Sequence, residues 1–266
     1  MLLTDRIAVV YGAAGAVGSA VARTFAREGA HVFLTGRTGS ALEKLAMRIT
    51  ESGGSCAVAE LDALDEEAVR GHADAVVRQA GRIDISFNAI GVDHRQGAPL
   101  TELSLAEFSL PISTYTATQF LTSTAAARHM KAQGSGVILP LSTTASRVAM
   151  PTDGFGPACA AVEALSRQLA GELGPFGVRV VCLRPDGIPE TVEQGSHARE
   201  LWSRAAAEAG MTLAQMLEGT VGVPGALLRR SPTLADVAEA AAFYASDRAS
   251  GMTGVIANLT CGSLVD

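Results

Sequence analysis

No long cluster of lysine and arginine occurs in this chain, whose net charge is −6. That disfavours nucleic acid or an anionic membrane as the main partner and leaves a small soluble molecule as the expected ligand. No apolar run reaches the roughly 20 residues needed to span a bilayer. Met1 to Arg6 meets an acid and a base before any signal-peptide core could form, so the expected location is cytoplasmic. The four cysteines, Cys56, Cys159, Cys182 and Cys261, show no CxxC spacing and lie in or beside apolar segments. They read as free buried thiols, with neither disulfide nor metal expected. Internal repeats, low-complexity tracts and an interdomain linker are also missing.

What is present is an ordinary globular balance: 266 residues, 48% hydrophobic and 18% charged, enough for one large α/β domain or two small ones. The chain is organised around Tyr11 to Gly18, Y-G-A-A-G-A-V-G, directly after the apolar run Ile7 to Val10. A buried strand ending in a glycine-dense turn that opens into a helix is the sequence form of a phosphate cradle. Helix-start amides and the helix dipole both favour an anion there.

Strand and helix patterns alternate from this point. Helical apolar spacing over Ser19–Glu28, Ala41–Glu51 and Asp65–Gln79 separates strands at His31–Thr35, Cys56–Leu61 and Ile83–Phe87. A long helix, Leu105–Gln133, leads to a strand at Gly136–Leu141, a helix at Ala158–Leu173 and a strand at Val178–Leu183. Short amphipathic pieces at His197–Ala209 and Leu213–Glu218 interrupt the rhythm before a last helix, Leu234–Ser246, and a seventh strand, Val255–Leu259. The alternation predicts a single doubly wound α/β domain over residues 1–266, about seven parallel strands with helices on both faces. Residues 188–231 are expected to form a variable lid at the carboxyl ends of the strands, where ligands sit in such sheets. Trp202, Met211, Met216, Leu217 and Leu228 suggest an apolar ligand, although a lid packing on itself would have the same content.

Four ordered signals resemble the short-chain dehydrogenase/reductase family, a Rossmann-type fold, across essentially the whole chain. The family's T-G-x-x-x-G-x-G corresponds to Tyr11–Gly18, with Gly12 and Gly18 matching, Ala16 replacing the middle glycine and Gly15 beside it. Asp62 resembles the family's acid near the adenine. Asn88-Ala89-Ile90-Gly91 resembles N-N-A-G with Phe87 in place of its first Asn, and Thr253-Gly254 with Gly262 resembles the closing T-G…G-G pattern. The resemblance implies a dinucleotide held by Gly12, Gly15, Ala16, Val17, Gly18, Arg37, Asp62, Asn88, Ala89 and Gly91. At the end of the second strand, where a carboxylate would grip a free ribose, stands Gly36-Arg37. A guanidinium there favours NADP over NAD if a cofactor binds.

The active-site positions depart from the family. Relatives that reduce carbonyls use a Ser, a Tyr and a Lys at Tyr+4, with an Asn on the preceding long helix. Here Gly154 to Leu165 lies over S-Y-x-x-x-K-A-A-V-E-A-L, so that Phe155 replaces the Tyr and Cys159 the Lys. The Asn position falls on Tyr115, and Ser142 with Thr143 occupies the Ser-Ser pair. Phe155 carries no transferable proton, and Cys159 holds no permanent charge. Ser142, Thr143 and Tyr115 remain as candidate catalytic groups, although Tyr115 could equally fill the volume the Lys leaves. Asp153 and His94 could reach the cleft from its rim, and Cys159 reads as a small apolar replacement rather than a nucleophile.

Three activities compete on this reading: an NADP-dependent oxidoreductase with relocated groups, a non-redox lyase, isomerase or cyclase in the same pocket, and a silent dinucleotide-sensing or partner protein. Fold alone does not choose among them. The Ala-rich helices Leu105–Gln133 and Ala158–Leu173 resemble the family's oligomer faces, so a homodimer or homotetramer is expected.

Overall fold

The computed structural model describes residues 1–149, 152–194, 197–220 and 226–265. In its first half, β1 (Ile7–Tyr11), α1 (Ala16–Arg27), β2 (His31–Gly36), α2 (Gly39–Glu51), β3 (Ser55–Glu60), α3 (Glu66–Ala80) and β4 (Ile85–Asn88) alternate strictly. The second half runs α4 (Leu105–Gln133), β5 (Gly136–Leu139), α5 (Phe155–Leu173), β6 (Val178–Pro185), three further helices, α9 (Leu234–Ala245) and β7 (Val255–Leu259). The three between β6 and α9 are α6 (Glu190–Glu193), α7 (His197–Glu208) and α8 (Leu213–Thr220). Residues 195, 196 and 221–225 of the expected lid lie outside the described residues.

The seven strands pair in parallel in the order β3-β2-β1-β4-β5-β6-β7. Tyr11, the last residue of β1, is flanked by Thr35 on β2 and Asn88 on β4. The chain order reverses on either side of β1, so α1 and α4 pack on opposite faces of the sheet and a crevice forms at the carboxyl ends of β1 and β4.

Successive residues of β1 show why the strand reads as a continuous apolar run. Ala8 and Val10 enter the cluster beneath α1 and α9, whereas Val9 and Tyr11 enter the cluster beneath α3, α4 and α5. A strand buried on both faces has no polar side to alternate with. A third, smaller cluster joins Val92, Tyr115, Ala158, Cys159, Val162 and Cys182, with Phe155 packed against it.

Helix starts carry their own chemistry. Asp65 caps α3 by accepting from the Ala68 amide, and Ser104 with Glu107 forms a reciprocal capping box on α4. Two starts differ by three residues from the sequence expectation: α1 begins at Ala16 rather than Ser19, and α5 at Phe155 rather than Ala158. Pro157 is accommodated in the first turn of α5 because first-turn amides have no helical partner to lose. The side chain of Asp153 secures the earlier start by accepting from the Phe155 amide at 2.7 Å.

Candidate active site

The cradle is built by close backbone approach. Gly12 has φ +72°, and a Cβ there would sit 2.8 Å from the carbonyl oxygen of Ala89. The turn after β1 therefore lies directly against the loop after β4, an approach only glycine permits. Gly15 is the N-cap of α1 and supplies no side-chain cap, and the first turn carries no acid. These helix-start amides are left for an anion, and the dipole adds to their attraction.

Arg37 follows β2 as an exposed side chain that has no hydrogen bond or ion pair among the described residues. A competing charge comes from the neighbouring strand: Glu60, at the end of β3 and paired with Gly36, accepts from the Gly39 amide at 2.8 Å. Asp62 is exposed and accepts from the Leu64 amide at 3.0 Å. Asn88 is 3% exposed. Its amide donates to the Thr118 carbonyl at 3.1 Å and the Thr122 hydroxyl at 2.8 Å, while its oxygen accepts from the Ile90 amide at 2.9 Å. Asn88 thus ties β4 to α4 and shapes the turn that carries Ala89 and Gly91.

The candidate catalytic hydroxyls fall in three different surroundings. Ser142 is wholly buried, and its hydroxyl donates to Glu163 at 3.0 Å. Tyr115 is 2% exposed, and its phenol donates to the Leu141 carbonyl at 2.5 Å. Burial and the neighbouring thiols of Cys159 and Cys182 hold that phenol well above its ordinary pKa. Tyr115 fills core volume and gives its one proton to backbone. Thr143 is only half-buried, with its Oγ1 accepting from the Ala145 amide at 3.1 Å and lying 3.5 Å from the Cys159 sulfur. It is the one residue of the three that is not fully buried. Burial pushes the Cys159 thiol up to about 12, so it stays a neutral thiol.

Beneath Thr143 lies a charge pair not anticipated from the sequence. Glu163 on α5 and Arg184 on β6 meet at 3.4 Å, with their side chains 7% and 2% exposed. The same carboxylate accepts from Ser142 at 3.0 Å and from Ser146 at 2.6 Å, fixing the turn after β5 to α5. Asp186 performs a parallel task, accepting from the Thr144 hydroxyl and the Gly187 amide, each at 2.8 Å, and from the Ser263 hydroxyl. An acid within an apolar helix face and an arginine inside a strand were the available signals.

The loop after β4 and helix α7 close one side of the crevice. Arg204 on α7 pairs with Asp93 and donates to the His94 carbonyl at 3.2 Å, while Arg95 reaches Glu208 at 3.1 Å. His197, the first residue of α7, lies so near Gly91 that a Cβ there would meet its ring. Its charge also interacts with that of Arg37. The start of α7 therefore stands over the carboxyl ends of β2 and β4. His94 stacks flat on Phe155, ring centroids 4.2 Å apart and planes within 6°.

Comparison with known proteins places this geometry in context. A family model described as enoyl-(acyl carrier protein) reductase matches residues 12–263. An uncharacterized oxidoreductase of Methylorubrum extorquens is 30% identical over 262 residues, covering 98% of each chain. D-threitol dehydrogenase of Mycolicibacterium smegmatis is 30% identical over 255 residues, 95% of this chain and 90% of that one. The structure of an NAD+-bound xylitol dehydrogenase superposes with a TM-score of 0.85 at 27% identity, covering 98% of this chain and all of the other. No described helix is long and apolar enough to cross a membrane, and no metal-binding cluster of His, Cys, Asp or Glu occurs among the described residues.

Proposed function

The chain belongs to the short-chain dehydrogenase/reductase family, and from that premise we propose that it is an NADP-dependent oxidoreductase acting on a small apolar substrate through an altered active site. The observation that carries this reading is the uncapped start of α1 behind Gly12, with an unpartnered Arg37 at the adjoining strand end. A dinucleotide diphosphate fits the first and a 2′-phosphate the second. The bound dinucleotide would supply hydride chemistry.

The chain's own residues would do the rest. Gly12, Gly15, Ala16, Val17 and Gly18 receive the diphosphate on backbone amides, and Arg37 supplies a forked donor for the extra phosphate. Asp62, Ala89 and Gly91 border the adenine side, with Asn88 holding that border in shape. Thr143 offers the hydroxyl that orients a substrate oxygen. Phe155 and Cys159, at the positions where relatives carry Tyr and Lys, make this wall apolar and suit it to a hydrophobic substrate. Residues 188–231 act as the lid, with the Arg204–Asp93 and Arg95–Glu208 pairs fastening α7 across the crevice. The exposed Leu110 and Phe120 on α4 supply part of a homodimer or homotetramer face.

The test is NADPH consumption, followed at the nicotinamide absorbance, with a panel of apolar carbonyl and activated C=C compounds. Turnover of at least one of them with NADPH is expected; NADPH binding without any turnover would instead favour a non-redox or silent role.

A further inference from the structure

We propose that His94 is the acid–base residue of this site, passing a proton between Nε2 and the substrate oxygen from a stacked seat on Phe155. The proposal rests on the oxidoreductase reading above and supplies the proton route that reading lacks.

Three observations place the imidazole. Nδ1 lies 3.2 Å from the Val92 carbonyl oxygen. A carbonyl only accepts, so Nδ1 carries the hydrogen, and Nε2 is left as the exchanging nitrogen. Nε2 has no hydrogen-bond partner among the described residues and is not one of their buried orphan atoms, and the residue is half-buried. It therefore keeps an open approach. Finally, the ring is held flat against Phe155, the residue standing where relatives carry their proton-transferring phenol, and Phe155 starts the helix whose next turn brings Cys159 to Thr143.

Asp153 makes this arrangement rigid. It is 3% exposed and has φ +49°, a left-handed conformation that a non-glycine residue adopts at a cost. One carboxylate oxygen accepts from the Phe155 amide at 2.7 Å, and the other accepts from the Arg95 amide beside His94. A single strained residue thus fixes both the helix start carrying the platform and the loop carrying the imidazole. Backbone strain concentrated in this way is characteristic of functional sites.

Carbonyl reduction needs a hydride and a proton. The hydride is the contribution of NADPH, which is oxidised to NADP+ as the carbonyl carbon is reduced. The proton is the chain's to provide: the Nε2–H bond of the imidazolium breaks, its electron pair stays on nitrogen, and an O–H bond forms on the substrate. Neutral imidazole then regains a proton from water. In the oxidative direction neutral Nε2 takes the alcohol proton.

The groups facing His94 are Asp153 ahead of α5, Asp93 on its own loop, and Arg204 and His197 on α7. Burial outweighs the two carboxylates and holds the imidazole below its ordinary pKa of about 6.5. Reduction uses the protonated form, so its rate falls as pH rises through this lowered pKa; oxidation uses the neutral form, and its rate rises over the same interval.

The experiment compares the full-length parent with His94→Gln and His94→Asn, using NADPH and the apolar 1,2-diketone phenanthrenequinone. Calorimetric titration of NADPH is done first. Failure to bind would remove the oxidoreductase reading itself, whereas unchanged binding in the variants isolates the proton step. The expected result is a loss of about 10²-fold or more in kcat with KM changed little, and disappearance of the fall in rate that the parent shows as pH rises through the His94 titration. His94→Ala should regain rate on addition of free imidazole. Independently of turnover, the His94 ring resonance should titrate below pH 6.5 and shift when the diketone is added. Variants that keep the parent rate and pH profile, or a parent that binds NADPH but leaves the diketone unreduced, would overturn the assignment.

Discussion

The hydroxyl of Thr143 and the thiol of Cys159 face each other at 3.5 Å, on the edge of a small apolar cluster that also takes in Tyr115 and Phe155. Cys159 presents a neutral sulfur that buries completely. The thiol is raised to about 12 by burial, so it is protonated at every physiological pH. Iodoacetamide should leave Cys159 unmodified in the folded protein at pH 8 and label it only after unfolding. Cys159→Ala should keep NADPH affinity and turnover within a few-fold of the parent, as read by titration and steady-state kinetics.

Cofactor choice should respond to two opposed charges. Arg37→Ala removes the unpartnered guanidinium and is expected to weaken NADPH by about tenfold or more while leaving NADH nearly unchanged, since charged hydrogen bonds contribute about 1.5–3 kcal/mol. Glu60→Gln removes the carboxylate that binds the Gly39 amide and should move the NADPH-to-NADH preference the other way. Paired dissociation constants for both variants check the sign.

Much of the frame was legible because its signals are local. The cradle at Tyr11–Gly18 and the apolar strands announce themselves through glycine spacing and short runs buried on both faces. The fate of Tyr115 was not, because its hydroxyl partner is a carbonyl 26 residues away on the turn after β5. Ser142 and Thr143 entered as an undivided pair, and only the buried Glu163 beneath them shows which one turns inward. The start of α5 was placed late because the Asp153 side chain that sets the true start is a loop interaction outside the helical apolar pattern. The stacking of His94 on Phe155 joins two segments whose adjacency follows only from the strand order.

The buried pair makes a stability prediction. Glu163→Ala removes the buried carboxylate that Arg184, Ser142 and Ser146 share, and a loss of about 3–5 kcal/mol is expected in urea unfolding. Replacing both partners, Glu163→Gln with Arg184→Met, should recover most of that loss.

Close packing at the start of α5 makes another. A Cβ on Gly154 would fall 1.8 Å from the carbonyl oxygen of Phe108 on α4. Gly154→Ala must therefore push α5 away from α4 and should lower Tm measurably, with the Phe155 platform displaced and turnover reduced along with it.

For assembly, light scattering on the parent should return a dimer or tetramer. Phe120→Asp, which charges a half-exposed aromatic on α4, should shift the mass toward monomer without changing the circular dichroism spectrum.

If the cradle behind Gly12 and the exposed Arg37 hold a 2′-phosphorylated dinucleotide, that dinucleotide binds the folded chain saturably. Calorimetric titration of the intact chain with NADPH and NADH tests it most directly: the account predicts saturable binding with NADPH the tighter of the two, and absence of binding by either up to millimolar concentration would contradict it.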